Sequence, residues 1–313
     1  MLPPELLQRI GQHLFVNSGW SGAHDDAALY TEVEAEAKDS LLSCSRVCRA
    51  FRLAALPYLF HTICFYINAD ITEVTRDQDD PNCQCRSLRG LRLLAERHPP
   101  VRDNIQEVRV RSGCIEHWYN VVLDTEELVT TLHSLPRLRV VWLHDLRFEL
   151  STLPRSIPLT ATATLPSLDA LHISRAGQLD ATVFGTVLAS FSSITKLSIG
   201  DSCCTTPEDI AITDLAGHRA HIDTPEAAPF ADNFHILLSY LCTNTIERGS
   251  LKSLQLRGST EMFDLPALGS FLEFTGSSIV DTYLRLYPFQ DSDGCAWVFL
   301  RMPFCQVSCM SPR

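Results

Sequence analysis

A short apolar pattern that recurs along the chain limits its possible folds more than any other feature. Apolar residues occupy the first, fourth and sixth places of five separate segments. These are Ile105, Val108 and Val110; Leu138, Val141 and Leu143; Leu168, Leu171 and Ile173; Ile194, Leu197 and Ile199; and Leu251, Leu254 and Leu256. The segments start 33, 30, 26 and 57 residues apart, and a weaker copy at Ile279 follows 28 residues later. Such spacing predicts stacked structural repeats, with one degenerate repeat inside the long gap.

Each repeat is expected to contain one strand and one helix. The apolar segments span only five to seven residues and are rich in Val and Ile, which favours strands over all-helical repeats. Asp124, with Glu127 three residues later, predicts a helix over 125–135, and Thr224 before Pro225 predicts another that reaches Cys242. A further helix is expected at 88–98. The predicted fold class is therefore α/β, a leucine-rich-repeat solenoid of strand-plus-helix units.

Strand geometry predicts which polar residues share the outer sheet face. Side chains alternate along a strand, so residues next to the inward apolar positions point away from the core. They form two columns: Arg109, Trp142, His172, Ser198 and Gln255, then Arg111, His144, Ser174, Gly200 and Arg257. From these columns we predict a target-binding set of Arg109, Arg111, Trp142, His144, His172, Gln255 and Arg257. Trp142 is the expected anchor, and the alternative is that it packs under a neighbouring loop.

The N-terminal sixty residues follow a different, helical pattern. Pro3 and Pro4 suit the first turn of a helix, and apolar residues then recur at helical spacing in two stripes. The stripes are Leu6, Ile10 and Leu14, then Leu41, Cys44, Val47, Cys48 and Phe51. So short a module cannot bury all these side chains alone, which favours a partner that completes its core. The alternative is that both stripes pack on the rest of this chain.

Two runs in this module resemble a known family. LPPELLQRIGQHL at residues 2–14 and LLSCSRVCRAFRLAALPYLF at residues 41–60 together resemble an F-box, in the form common in fungal proteins. The resemblance implies that this module contacts a Skp-type adaptor and, through it, a cullin scaffold. The positions carried over are Leu2, Pro3, Leu6, Ile10, Leu14, Val47, Cys48, Arg49 and Phe51.

The domain boundaries follow from these patterns. We expect an F-box-like domain at 1–63, a linker at 64–87, the repeats at 88–287 and an irregular tail at 288–313. One departure from the F-box pattern is an insertion at 15–38, which predicts a looped-out segment with one acidic helix from Asp25 to Lys38. If the insertion folded over the apolar stripe, it would obstruct adaptor binding.

Composition narrows the function classes further. A net charge of −11 disfavours nucleic acid, because affinity for it depends on clustered cations that neutralise phosphates. No run of eighteen apolar residues occurs and no signal peptide is recognisable, so we expect no membrane association. The 12 cysteines are scattered through apolar segments, which favours reduced thiols in the cytoplasm or nucleus.

No catalytic signature is present in the sequence. It contains no GxxxxGK[ST], GxSxG, HExxH or GxGxxG run. Cys83 and Cys85, with His61 and Cys64 upstream, are ligand types that zinc accepts, but the usual Cys-x-x-Cys spacing is missing. We therefore expect no enzyme activity, metal or cofactor. The expected function is substrate recognition in a Skp-cullin-F-box ubiquitin ligase, the F-box helices binding the adaptor and the repeat face an unidentified protein target. One alternative is a scaffold without a ubiquitin role, and another is an enzyme that gathers His144, His172 and Asp145.

Overall fold

A computed structural model describes most of the repeat region and part of the N-terminal module. The described residues are 9, 32–67, 88–112, 122–149, 165–174, 179–200, 204–205, 221–227, 252–259, 273, 281–287 and 298–303. Among them, no helix is both long enough and apolar enough to cross a bilayer.

The described residues form thirteen strands. They are β1 (Thr62–Ile67), β2 (Glu107–Ser112), β3 (Val122–Asp124), β4 (Val140–His144), β5 (Arg147–Glu149), β6 (Ser167–Ser174), β7 (Leu179–Asp180), β8 (Ser193–Gly200), β9 (Cys204–Thr205), β10 (His221–Ala227), β11 (Ser253–Ser259), β12 (Asp281–Tyr287) and β13 (Val298–Pro303). Nine of them build one sheet in the order β1-β2-β4-β6-β8-β10-β11-β12-β13, which is also their order along the chain. Every neighbouring pair is parallel except β12 and β13, which are antiparallel.

Six helices belong to the described residues. They are α1 (Glu32–Val47), α2 (Arg49–Leu59), α3 (Leu88–Arg97), α4 (Pro99–Arg102), α5 (Thr125–His133) and α6 (Ala181–Ala189). The predicted start of α5 is confirmed, because the Asp124 carboxylate accepts hydrogen bonds from the backbone N–H groups of Glu126 and Glu127. The chain is therefore a mixed α/β protein with a parallel sheet.

The core lies on one face of this sheet. Strand residues at the predicted apolar places, such as Val108, Val141 and Leu171, pack in one cluster with Leu91 of α3 and Phe184 of α6. The periodicity identified these inward positions correctly, since every apolar residue of the first four segments is buried. Helices thus cover one face, and the polar columns lie on the other.

The strand β10 lies in the gap where a degenerate repeat was predicted. Ile222 pairs with Ile194, Pro225 with Leu197 and Ala227 with Ile199. Ile222 follows Ile194 by 28 residues and precedes Leu251 by 29. The helix predicted to open at Thr224 and Pro225 is wrong at its start, because both residues lie inside β10.

A further copy of the pattern, which the sequence reading missed, begins at Phe60. Phe60, Ile63 and Phe65 occupy the first, fourth and sixth places, and β1 pairs Ile63 with Val108 and Phe65 with Val110. The expected boundary between residues 63 and 64 falls inside β1, so the sheet starts before the segment that was expected to be a linker.

Backbone hydrogen bonds repeat at the start of successive strands. In each case one carbonyl accepts two N–H groups from the next strand along the sheet. The His61 carbonyl accepts from Gln106 and Glu107 at 2.9 and 3.0 Å, the Gln106 carbonyl from Arg139 and Val140 at 2.8 and 3.0 Å, and the Arg139 carbonyl from Asp169 and Ala170 at 2.8 and 3.1 Å. The series includes His61, so the end of the helical module is joined to the sheet by the same bonds.

The helices α1 and α2 have a small core of their own. Leu41, Ala55 and Leu59 are buried between them, and Phe60 packs against both this cluster and the core of the sheet. The predicted stripe from Leu41 to Phe51 does not lie on one continuous helix, because α1 ends at Val47 and Cys48 takes an extended conformation before α2. The acidic helix predicted from Asp25 to Lys38 in the insertion agrees with α1 over residues 32–38, although α1 continues past the predicted end to Val47. Residues 25–31 lie outside the described residues.

Candidate functional site

The first candidate surface lies where α1 meets α2. Val47 is 70% exposed, Leu53 59% and Leu42 37%, which is unusual for large apolar side chains. Exposed arginines lie beside them: Arg46 near the end of α1 and Arg49 at the start of α2. We call Leu42, Arg46, Val47, Arg49 and Leu53 the helical surface.

The residues predicted from the F-box resemblance divide into two groups. Val47, Cys48 and Arg49 are exposed and adjacent at the junction of the helices, and Phe51 is half-buried. The others, Leu2, Pro3, Leu6, Ile10 and Leu14, lie outside the described residues.

Leu42 and Leu53 were not predicted from the sequence, and Leu41 was predicted to lie in the same stripe as Val47. Leu41 is only 2% exposed, so it belongs to the core between the helices. One helical periodicity cannot relate Leu42 to Leu53, because the two residues lie on different helices and Cys48 breaks the chain of helical residues between them.

The second candidate surface is the polar sheet face, the outward side chains of the strands β1, β2, β4, β6 and β8 of the large sheet. The strand register places the first predicted column in one row across the sheet. Paired in order are Cys64, Arg109, Trp142, His172, Ser198, Glu226, Gln255 and Tyr283. The second column is in register from Arg111 through His144 and Ser174 to Gly200, and Arg257 pairs with Arg285 on β12.

Planar groups stack at the centre of the first row. The ring centroids of Trp142 and His172 lie 3.7 Å apart with planes 13° apart, and the guanidinium carbon of Arg109 lies 5.9 Å from the Trp142 ring. The two contacts come from the strands on either side of β4, so a target has limited access to the faces of the indole. The indole N–H is buried without a hydrogen-bond acceptor among the described residues. Trp142 is thus half-buried between its neighbours, not a fully exposed anchor.

An ion pair lies beside this row, near the start of β2. Arg109 Nε donates to Glu107 Oε1 at 2.8 Å, and the Thr62 hydroxyl donates to Glu107 Oε2 at 3.0 Å. Both charged side chains are largely buried, with 12% and 13% exposure. Burial lowers the pKa of the neighbouring His61, while the Glu107 charge raises it in part and the Arg109 charge lowers it.

A second network lies at the carboxyl ends of β2, β4 and β6. Arg111 Nε donates to Asp145 Oδ2 at 3.1 Å, and His144 Nε2 lies 3.2 Å from the same oxygen. His144 Nδ1 also contacts the Ser174 hydroxyl. Asp145 has a positive φ of 56°, a left-handed conformation that Asp tolerates better than most residues. This turn brings the Asp145 carboxylate back toward Arg111, and the Asp145 N–H donates to the Ser174 carbonyl.

The two networks determine the electrostatics of the polar sheet face. Each of its arginines contacts a carboxylate of the same face, Arg109 with Glu107 and Arg111 with Asp145. The face therefore presents ordered hydrogen-bonding groups with little net charge. Such a surface suits a target recognised by shape and hydrogen bonds more than one recognised by charge alone.

Neither a metal site within the described residues nor a matching known protein assigns a function to this chain. No group of His, Cys, Asp and Glu within the described ranges could hold a metal ion, and Cys83 and Cys85 lie outside those ranges. No protein-family model and no curated protein matches the chain. The residues of the two candidate surfaces are therefore the basis for assigning a function.

Proposed function

We propose that this chain is the substrate-recognition subunit of a Skp-cullin-F-box type ubiquitin ligase. The helical surface binds a Skp-type adaptor, and the polar sheet face binds a protein target. The observation that carries the proposal is the exposure of Val47, an apolar residue that the F-box resemblance assigns to the adaptor contact.

The energetics of the helical surface support a docking role. Burying the remaining exposed surface of Leu42, Val47 and Leu53 in a partner contributes at most about 2 kcal/mol for each side chain, or at most about 6 kcal/mol in all. Association of two proteins costs about 4 to 15 kcal/mol in lost freedom. These three contacts alone give marginal binding, so we expect the first predicted stripe, Leu6, Ile10 and Leu14, to supply further contacts.

The repeat region supports the second half of the proposal. Parallel strands follow one another across the sheet in chain order, with helices packed on one face. We interpret this region as an irregular leucine-rich-repeat solenoid, a class of fold that presents one strand face to protein partners. The assignment of a target to that face rests on fold-level analogy and on its ordered polar residues.

The connection between the two surfaces suits a receptor that positions its target. Phe60 packs in both cores, and the His61 carbonyl accepts two bonds from the start of β2. A receptor held in this way presents its target at a fixed distance from the adaptor, which raises the effective concentration of the target at the ligase. The transfer chemistry belongs to other subunits.

A scaffold without a ubiquitin role is the second candidate. The observation that favours it is the internal packing of the predicted stripe, since Leu41 is buried against Ala55 and Leu59. In this alternative the helices α1 and α2 complete the fold and bind no adaptor.

Co-purification with a Skp-type adaptor of the host separates the two candidates. We would compare the intact chain with a Val47→Asp, Leu53→Asp variant and with Leu93→Asp, which changes a similarly apolar exposed residue of α3. The proposal predicts that the intact chain and Leu93→Asp retain the adaptor and that the double variant loses it while remaining folded. Absence of adaptor from the intact chain would support the scaffold.

A further inference from the structure

The helical surface has a charge opposite to that of the whole chain. Residues 40–60 contain Arg46, Arg49 and Arg52 and no acidic residue, although the chain as a whole carries −11. All three arginines are exposed. An acidic protein that concentrates positive charge around exposed apolar side chains has a surface suited to a partner of opposite charge.

Helical spacing places Arg46 and Arg49 each beside an apolar residue. Leu42 and Arg46 are four residues apart on α1, and Arg49 and Leu53 are four residues apart on α2, so each pair shares one side of its helix. Val47 lies between the two pairs at the junction. The surface therefore alternates apolar and cationic groups.

Two of these arginines have no acidic partner among the described residues. Arg46 and Arg49 make no ion pair there, whereas Arg109 and Arg111 on the polar sheet face each contact a carboxylate. The third, Arg52, donates from Nε to the Ser45 carbonyl at 3.3 Å and so joins the two helices. Arg46 and Arg49 are thus the cations that remain for a partner.

The position of Arg49 opposes the stability of its own helix. It is the first residue of α2, where the positive end of the helix dipole disfavours a cation, and the first turn contains no acidic residue. Helix stability alone therefore does not explain an arginine at this place, and a contact with an anionic group would offset the repulsion.

We infer that the helical surface binds an acidic protein surface, with apolar pockets for Val47 and Leu53 and carboxylates that face Arg46 and Arg49. This inference rests on the proposed function and specifies the chemistry of the adaptor face. A nucleic acid would match the charge, but its phosphate backbone offers no apolar pocket for side chains that are 70% and 59% exposed.

Charges at the rim of an interface act mainly on the association rate and on its salt dependence. Salt weakens the attraction, since the screening length falls from about 10 Å at 0.1 M ionic strength to about 3 Å at 1 M. The arginines should therefore accelerate encounter, while Val47 and Leu53 determine how long the complex lasts.

The test measures association and dissociation rates of the full chain with the host's purified Skp-type adaptor at low and high ionic strength. The test variant is Arg46→Glu with Arg49→Glu, and Arg46→Gln with Arg49→Gln removes the charges without reversing them. The matched control is Arg89→Glu with Arg137→Glu, which makes the same charge change at exposed arginines outside the helical surface. Circular dichroism and thermal unfolding check that each variant is folded.

We expect the association rate of the intact chain to fall about tenfold from low to high salt. The Arg46→Glu, Arg49→Glu variant should associate about tenfold more slowly at low salt, with a dissociation rate within about twofold of the original. The Gln variant should lie between the two, and the control should resemble the intact chain.

Three results would overturn the inference, and they are distinguishable. Adaptor binding that is indifferent to salt and to both Arg46 variants would leave the proposed function standing and remove the acidic partner. An intact chain that does not bind the adaptor would remove both. Tight binding of a single-stranded oligonucleotide that is lost in the Arg46→Glu, Arg49→Glu variant would replace the protein partner with a nucleic acid.

Discussion

The indole of Trp142 and the imidazole of His172 stack across the neighbouring strands β4 and β6, with ring centroids 3.7 Å apart. The stack depends on the register, because the two residues pair directly and their side chains leave the same face of the sheet. It also covers one side of the indole that would otherwise be open to a target. This contact should stabilise the polar sheet face before any target binds.

A double-mutant cycle measures that contact. We expect Trp142→Leu and His172→Leu to show a coupling free energy of about 1 kcal/mol in urea unfolding, since stacked aromatic pairs contribute about 0.5 to 1.5 kcal/mol beyond their buried area. The control cycle pairs Trp142→Leu with Ser198→Ala, two strands away in the same row, and should show no coupling. Equal coupling in both cycles would contradict a specific stack.

The ion pair of Arg111 and Asp145 gives a second prediction. Asp145 is 2% exposed, so Asp145→Asn leaves the Arg111 guanidinium without this carboxylate in a largely buried place. We expect the free energy of unfolding to fall by about 3 to 5 kcal/mol. Asp145→Ala should be more damaging still, because Ala tolerates the left-handed conformation less well than Asn does. Urea unfolding monitored by circular dichroism measures both changes.

An exposed ion pair of the same sheet serves as the control for this prediction. Arg139 and Asp169 lie 3.6 Å apart, and each side chain is 64% exposed. Arg139→Met should lower the free energy of unfolding by less than about 1 kcal/mol. A variant with Arg111→Met and Asp145→Asn should recover part of the stability lost in Asp145→Asn, and failure to recover any would point to the other contact of the Asp145 carboxylate, with His144 Nε2.

The strands were predictable because the pattern that builds them is local. An apolar residue at the first, fourth and sixth places reports directly which side chains face the core, and it identified Val108, Val141 and Leu171 correctly. The same pattern is present at Phe60, but it directly follows the helical pattern of α2 and was therefore not recognised. At Pro225 a local helix-start signal conflicted with the repeat spacing, and the spacing was the better guide.

The candidate surfaces were less predictable because they depend on contacts between distant segments. The register placed Arg109, Trp142 and His172 in one row as expected, but no sequence pattern shows that Arg109 would pair with Glu107. The turn at Asp145 depends on a bond to Ser174 from the next strand. The exposure of Val47 and the burial of Leu41 depend on the break between α1 and α2, which the spacing did not reveal.

Phe60 gives a third prediction, because it packs in both the helical core and the core of the sheet. It is half-buried, so we expect Phe60→Ala to lower the free energy of unfolding by about 2 kcal/mol, below the range for a fully buried Phe. Its distinct effect should be local: amides of α2 should lose protection from hydrogen exchange more than amides of β4. Phe184→Ala, in the core of the sheet, is the control and should reduce protection in β6 and β8 first.

Two half-buried histidines, His61 and His133, predict how the free energy of unfolding depends on pH. Burial lowers the pKa of His133, although the hydrogen bond from its Nε2 to the Ser190 carbonyl at 2.8 Å raises it in part. Burial is also the main cause of the lowered pKa of His61. Because the folded state resists protonation at both sites, the unfolded chain binds more protons once the pH falls below about 6.5. We expect the free energy of unfolding to be highest above that pH and to decrease as the pH falls toward the lowered values.

Urea unfolding at a series of pH values between about 8 and 5 tests this dependence. His61→Gln and His133→Gln each replace a histidine with a neutral side chain that can still form hydrogen bonds. Each should reduce the loss of stability on acidification, and the double variant should reduce it by the sum, because His61 precedes β1, His133 ends α5, and the two imidazoles have different hydrogen-bond partners. A double variant that loses stability as steeply as the original chain would show that these two histidines do not control the acid response.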